Sequence, residues 1–141
     1  MKNNKIIIIM LILLLTITLV GAGAFIYIWK FSGDKEKAPS IEEIVESSVD
    51  IEEITTNLAT DNFIRISFKI QTDSKKAKEE LEKRDFQVKN IIIQELSEKK
   101  PEDLKGKEGQ AKLENNLKDK INELMQDGKV VHVYIVNSLL Q

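Results

Sequence analysis

Reactive side chains are scarce in this chain: there is one histidine and no cysteine, and many of the acids come in adjacent pairs. A general base or pH switch built on His132 needs a hydroxyl or carboxylate to orient the imidazole. No Ser, Asp or Glu stands near it in sequence, and it alternates with Val131 and Val133. It reads instead as a mid-strand residue sharing a face with Val130, Tyr134 and Val136. One imidazole without any thiolate cannot build a zinc site by itself. The carboxylate pairs Glu42-Glu43, Glu52-Glu53, Glu79-Glu80 and Glu102-Asp103 all lie in segments patterned to face water. Gly106-Lys107-Glu108-Gly109 has neither the spacing nor the Lys-Ser/Thr ending of a phosphate loop, and no Gly-x-Ser-x-Gly elbow is present. The residues therefore support no enzyme. No catalytic, cofactor-binding or metal-binding residue is assignable, and none is marked for a partner.

Such a chain must work through placement and contact, and its first segment fixes the placement. From Ile6 to Ile28 no side chain is charged. At 1.5 Å per residue that run makes a helix about 35 Å long, against a hydrocarbon layer of roughly 30 Å. A transmembrane helix over 6–29 is expected, behind a short basic tail (1–5) carrying Lys2 and Lys5. A basic tail before a long apolar run is a signal-anchor, which keeps the N-terminus cytoplasmic and delivers the rest outside. Phe25, Tyr27, Trp29 and Phe31 gather at the far end, where aromatic rings favour the headgroup layer. A cleaved signal peptide is the alternative, since Ala22-Gly23-Ala24 fits a small-x-small cleavage pattern. The apolar run continues past it through Ile28, which favours retention, and with no Cys following, lipoprotein processing is excluded. Thr16, Thr18, Gly21 and Gly23 are small enough to let two such helices approach closely.

The formal net charge is only −2, yet residues 34 to 61 hold Asp34, Glu36, Glu42, Glu43, Glu46, Asp50, Glu52, Glu53 and Asp61 against Lys35 and Lys37 alone. An acidic stretch beside the membrane is repelled by anionic lipid and by nucleic acid. DNA and RNA are thereby excluded as partners, and 30–48 reads as a polar, acidic linker that holds the folded part off the lipid. Within it, Ser40 and Glu43 have the spacing of a capping box before a brief helix.

Residues 49–141 have the size of one ordinary domain. Val49–Leu58 and Phe63–Thr72 read as a hairpin. In its second strand Ile64, Ile66, Phe68 and Ile70 alternate with polar residues, so one face is buried and the other wet. Asp73 or Ser74 can cap the charged helix that follows, and Val88, Ile91, Ile92, Glu95 and Leu96 continue a helical stripe, as one bent helix or two. Pro101 stops it. Gly106 and Gly109 mark a loop, after which Leu113, Leu117, Ile121 and Leu124 line one face of a helix ending at Gly128 as its cap. Lys129–Leu140 is apolar on both faces and is expected as an interior strand. The order predicts an α+β fold of two layers, with the last strand joining the hairpin and helices on one face.

The series Asp103-Leu104, Gly109, Leu113, Ile121-Asn122, Gly128-x-Val130-x-x-Val133-Tyr134 ending at Gln141 resembles the FliL family of bacterial flagellar basal-body proteins. The single span, the polar linker, Asn57-Leu58 at the close of the first strand and the long alternating second strand agree. Ile135, Val136 and Ser138 depart from it, standing where the family more often has an aromatic, a Thr and another aromatic. The resemblance implies a non-enzymatic protein of the cytoplasmic membrane, without cofactors, whose outer domain is similar to stomatin-type (SPFH-like) domains. It implies partners too: stator units of the MotA/MotB type, basal-body components and further copies of the chain in an oligomer or ring, in support of torque, swarming and motility. A membrane-anchored or secreted ligand-binding or hydrolytic domain is the alternative.

Overall fold

The computed structural model describes residues 2–32 and 37–141, and residues 33–36 of the expected linker lie outside them. The chain forms two compact units, 1–38 and 39–141. The first is α1 (Lys2–Ser32), a helix long and apolar enough to cross a membrane. Its two threonine hydroxyls are satisfied internally: Thr16 Oγ1 donates to the Leu13 carbonyl and Thr18 Oγ1 to that of Leu14, each at 2.8 Å. In an apolar surround an unpartnered hydroxyl would be costly. The Tyr27 and Phe31 rings pack 4.6 Å apart at the far end.

The second unit opens with α2 (Ile41–Glu46), capped as expected: Ser40 Oγ accepts from the Glu43 amide at 3.3 Å and Glu43 Oε2 from the Ser40 amide at 3.0 Å. Strands β1 (Ser48–Asn57), β2 (Phe63–Thr72) and β3 (Val130–Leu140) form an antiparallel sheet in the order β1-β2-β3. Ile64, Ile66, Phe68 and Ile70 of β2 are buried, in the period of two read from the sequence. Helices α3 (Lys75–Lys83), α4 (Asp85–Ser97) and α5 (Gly106–Asn122) cover that face, α4 against β1 and α5 against β3, and a 3-10 turn (Pro101–Leu104) joins the last two. Leu81, Val88, Ile92, Leu96, Leu113, Leu117 and Ile121 complete a core that belongs to this unit alone. The fold is α+β, as expected.

Three expectations are corrected. First, β3 is an edge strand and not an interior one. Only Val130 and Val133 are buried, while Val131, Tyr134, Val136, Leu139 and Leu140 are exposed. Register shifts against β2 leave Val131 and Val136 as extra residues, so the period of two is broken twice and Val130 and Val133 reach the same face. Second, Gly106 and Gly109 lie within α5 and not in a loop. A Cβ on Gly109 would sit 2.7 Å from the Asp103 carbonyl oxygen, so glycine is what lets the first turn of α5 lie on the 3-10 backbone.

Third, Gly128 is not the cap of α5, which ends at Asn122. It lies in the turn before β3 with φ 121°, where a Cβ would stand 2.5 Å from Asp73 Oδ1 and 2.8 Å from the Ala77 Cβ. Gly128→Ala is expected to destabilise the domain by about 1–3 kcal/mol, the range for a backbone forced into a region L-residues avoid. Urea denaturation of residues 39–141 checks it.

The helical stretch between β2 and Pro101 divides at Arg84 into α3 and α4. Ser74 is the cap of α3, accepting from the Ala77 amide at 3.1 Å. Arg84 bonds both sides of the break, through Nε to Glu80 Oε1 and through Nη1 to Gln87 Oε1, each at 2.8 Å.

Candidate functional site

An edge strand presents unpaired backbone groups, and the chemistry available to this domain is concentrated there. Along the first half of β3, side chains of α5 stand in for a fourth strand. Asn122 bonds Val130 twice, accepting from its amide at 2.7 Å and donating to its carbonyl at 3.0 Å. Glu114 Oε1 accepts from the Ile135 amide at 3.1 Å, and its Oε2 lies 4.0 Å from His132 Nε2.

Beyond Ile135 the arrangement changes. Phe63 and Gln141 exchange two backbone bonds of 2.8 Å. Alternation along an antiparallel ladder then makes Arg65–Leu139 and Ser67–Asn137 bonded pairs, while the amides and carbonyls of Ser138 and Leu140 point away from β2. Among the described residues no side chain of α5 bonds them. Phe63, Val136, Leu139 and Leu140 are exposed around this stretch, and a shallow cleft lined by Ile64, Ile66, Leu104, Leu113, Ile135 and Ser138 opens beside it.

His132 lies on the outer face with Tyr134, their rings 4.1 Å apart, and not on the face of buried Val130. Tyr134 donates to Gln71 Oε1 at 3.2 Å. The carboxylate that approaches His132 comes from another element, which is why nothing beside it in sequence announced Glu114. Of the paired acids, Glu42, Glu43, Glu52, Glu53, Glu79, Glu102 and Asp103 are exposed as read, but Glu80 is not. Its carboxylate accepts from the amides of Gln126, at 2.9 Å from Oε1, and Asp127, at 2.6 Å from Oε2. The Asp127 amide, with help from Arg84 and Gln126, holds Glu80 below the usual carboxylate range against the opposing effect of burial.

These observations, an anchor-like helix followed by a small α+β domain with one half-open edge, meet a direct match in known proteins. Residues 48–141 match the family described as "Flagellar basal body-associated protein FliL". The chain belongs to the FliL family. "Flagellar protein FliL" of Bacillus subtilis (strain 168) is 53% identical to it over 110 residues, 78% of this chain and 79% of that protein. The family match begins at Ser48, the first residue of β1, and so takes in every strand and the whole helical layer.

Within this FliL-family domain a second polar cluster was not visible from the sequence. Glu95 of α4 sits among buried residues and receives hydrogen bonds from Lys120, from Lys99 at 3.2 Å and from Asn116 at 3.4 Å. Burial raises its pKa, but the two lysines outweigh burial and hold the carboxyl below its ordinary value. Lys120 is raised in turn, mainly by its hydrogen bond to Glu95. This cluster clamps α4 to α5. A groove of about 400 Å³ runs past the 3-10 turn, lined by Glu98, Glu102, Asp103 and Glu108 together with Lys99, Lys105 and Lys112. Acids and lysines alternate there without converging on a point. Among the described residues no three His, Asp or Glu could hold a metal ion together.

Proposed function

We propose that this chain is a non-enzymatic, single-pass membrane protein of the flagellar basal body whose outer domain associates with the motor stator and with its own copies, supporting torque, swarming and motility. One observation carries the reading: the entire sheet and helical layer, residues 48–141, match a family whose description places it at the basal body. The apolar α1 supports the membrane location. In this reading the N-terminus (1–5) is cytoplasmic, 6–29 spans the membrane, 30–48 is the linker and 49–141 lies outside, held off anionic lipid by its acidic approach. The stator would be of the MotA/MotB type, and the likeness to stomatin-type domains belongs to the same reading. In this reading shape and backbone edges give the domain its means of acting.

Deleting the gene is expected to reduce swarming and motor torque while growth rate stays unchanged. Crosslinking in cells followed by capture of the full-length chain should recover stator or other basal-body proteins. Normal motility after deletion, together with captured partners from outside the flagellum, would overturn the reading.

A further inference from the structure

His132 is the single imidazole of the chain, and an imidazole is the one side chain that ordinarily changes charge between about pH 5 and 8. A switch built on it needs a carboxylate fixed where the added charge can act. Glu114 supplies one from α5, the helix that covers the other face of the sheet at β3. Because β3 is an edge strand, the Glu114 side chain can reach past its rim. Its Oε1 accepts from the Ile135 amide at 3.1 Å, while its Oε2 lies 4.0 Å from His132 Nε2. The carboxylate side chain is 23% exposed and the imidazole 47%, so the acid is held in place while the ring meets solvent protons directly. At 4.0 Å the two share no hydrogen bond, and a neutral ring does little to hold Glu114. A protonated ring attracts it at close range.

Other groups facing His132 leave Glu114 as its partner. From β2, uncharged Gln71 lies opposite it, and Lys69, opposite Tyr134, is held by Asp50 at 3.2 Å. On β3 itself the neighbour is Tyr134, its ring 4.1 Å away and its hydroxyl on Gln71, while Lys129 is exposed where the strand begins. From α5, half-buried Lys118 stands one turn from both Glu114 and Asn122, on the side of the helix they share. Its fixed charge opposes a second cation at His132 and keeps the effect modest. We propose that protonation of His132 locks Glu114 over the edge of β3, so that acid tightens the α5–β3 clamp and rising pH loosens it at Ile135. The sign follows from the charges: the cation is present below the imidazole range, and its pull on Glu114 is lost as pH rises through it. Once Glu114 leaves, the Ile135 amide joins the outward groups of Ser138 and Leu140, and the unguarded part of the edge extends back along the strand. The device belongs to the folded domain and does not depend on the basal-body reading, which adds only that the proton comes from outside the membrane.

Amide hydrogen exchange in residues 39–141, a unit with its own core, tests the lock one residue at a time. Rates are compared at about pH 5.5 and about pH 8, on either side of the imidazole range, each divided by the intrinsic rate of an unstructured amide at that pH. The Ile135 amide should be about two- to fivefold better protected at the lower pH, the size of effect a partly exposed ion pair gives. The Val130 amide, held at 2.7 Å by uncharged Asn122, should show no such change. His132→Gln removes the titrating ring at an exposed position and should make Ile135 protection the same at both pH values. Glu114→Gln keeps an oxygen for the Ile135 amide and should lose the pH dependence with the imidazole still in place. A merely structural role for either side chain would alter protection equally at both pH values and would not produce this pattern. Ile135 protection that ignores pH in the parent, a response that survives either substitution, or an equal response at Val130 would each overturn the proposal. None of these failures would touch the basal-body reading, which stands or falls on motility and captured partners.

Discussion

Leu117→Ala is expected to lower the stability of the folded domain by about 2–5 kcal/mol, the range for removing a fully buried leucine from a core that cannot collapse around the space. Leu117 is 0% exposed and sits between Leu113 and Ile121, one turn away on either side, on the face of α5 directed at the sheet. It belongs to one core cluster with buried side chains of all three strands and of α3 and α4. With roughly 4–8 °C of Tm per kcal/mol in a domain of this size, the loss is large enough to see in a simple melt. Asn115→Ala, on the exposed side of the same helix, should stay within about 0.5 kcal/mol of the parent. Equal Tm values for the two variants would mean that α5 does not present this stripe to the sheet.

The contrast between Leu117 and Leu139 shows what the sequence could and could not disclose. Leu117 belongs to a stripe repeating once per turn among charged residues, so its burial is a local fact that one helix makes legible. β2 was legible for the same reason, with Ile64 to Ile70 apolar on one face and Arg65 to Lys69 polar on the other. β3 was not. Its valines and leucines occur on both faces, and apolarity alone does not distinguish a strand covered by its own chain from one left for another. The extra residues Val131 and Val136 also break the alternation that would have sorted the faces. The open edge was out of reach altogether, since it is defined by where Glu114 and Asn122 of α5 stop covering β3. Gly106 and Gly109 misled because glycine is permissive: the residue that marks loops also lets a helix start tightly on the backbone before it. Glu80 was read as a solvated acid and Glu95 only as a member of a helical stripe: Arg84 and Lys99 stand one turn from them, but the Gln126 amide and the Lys120 ammonium arrive from about 46 and 25 residues away. No period or spacing connects residues so far apart.

Glu95 carries the second large effect. Replacing Lys99 and Lys120 together by Met keeps much of the apolar stem of each side chain and strips the carboxylate of its cations. The domain should then lose about 3 kcal/mol at neutral pH, the low end for a buried charge left without partners, because Asn116 still donates to it. The pH dependence decides whether charge is the cause. In the parent, the folded-state pKa of Glu95 is depressed below the ordinary carboxylate value, so its contribution is fully present above that ordinary value and is lost as pH falls through the folded one. In the double variant no cation opposes the effect of burial on the carboxyl, and burial raises it. The sign reverses: the deficit should be greatest at neutral pH and shrink as acid protonates Glu95. Adding Glu95→Gln to the double variant should recover most of the loss at neutral pH, since the amide fits the same space uncharged. A deficit that is independent of pH, or one the glutamine does not relieve, would assign the loss to packing and leave the α4–α5 clamp without an electrostatic role.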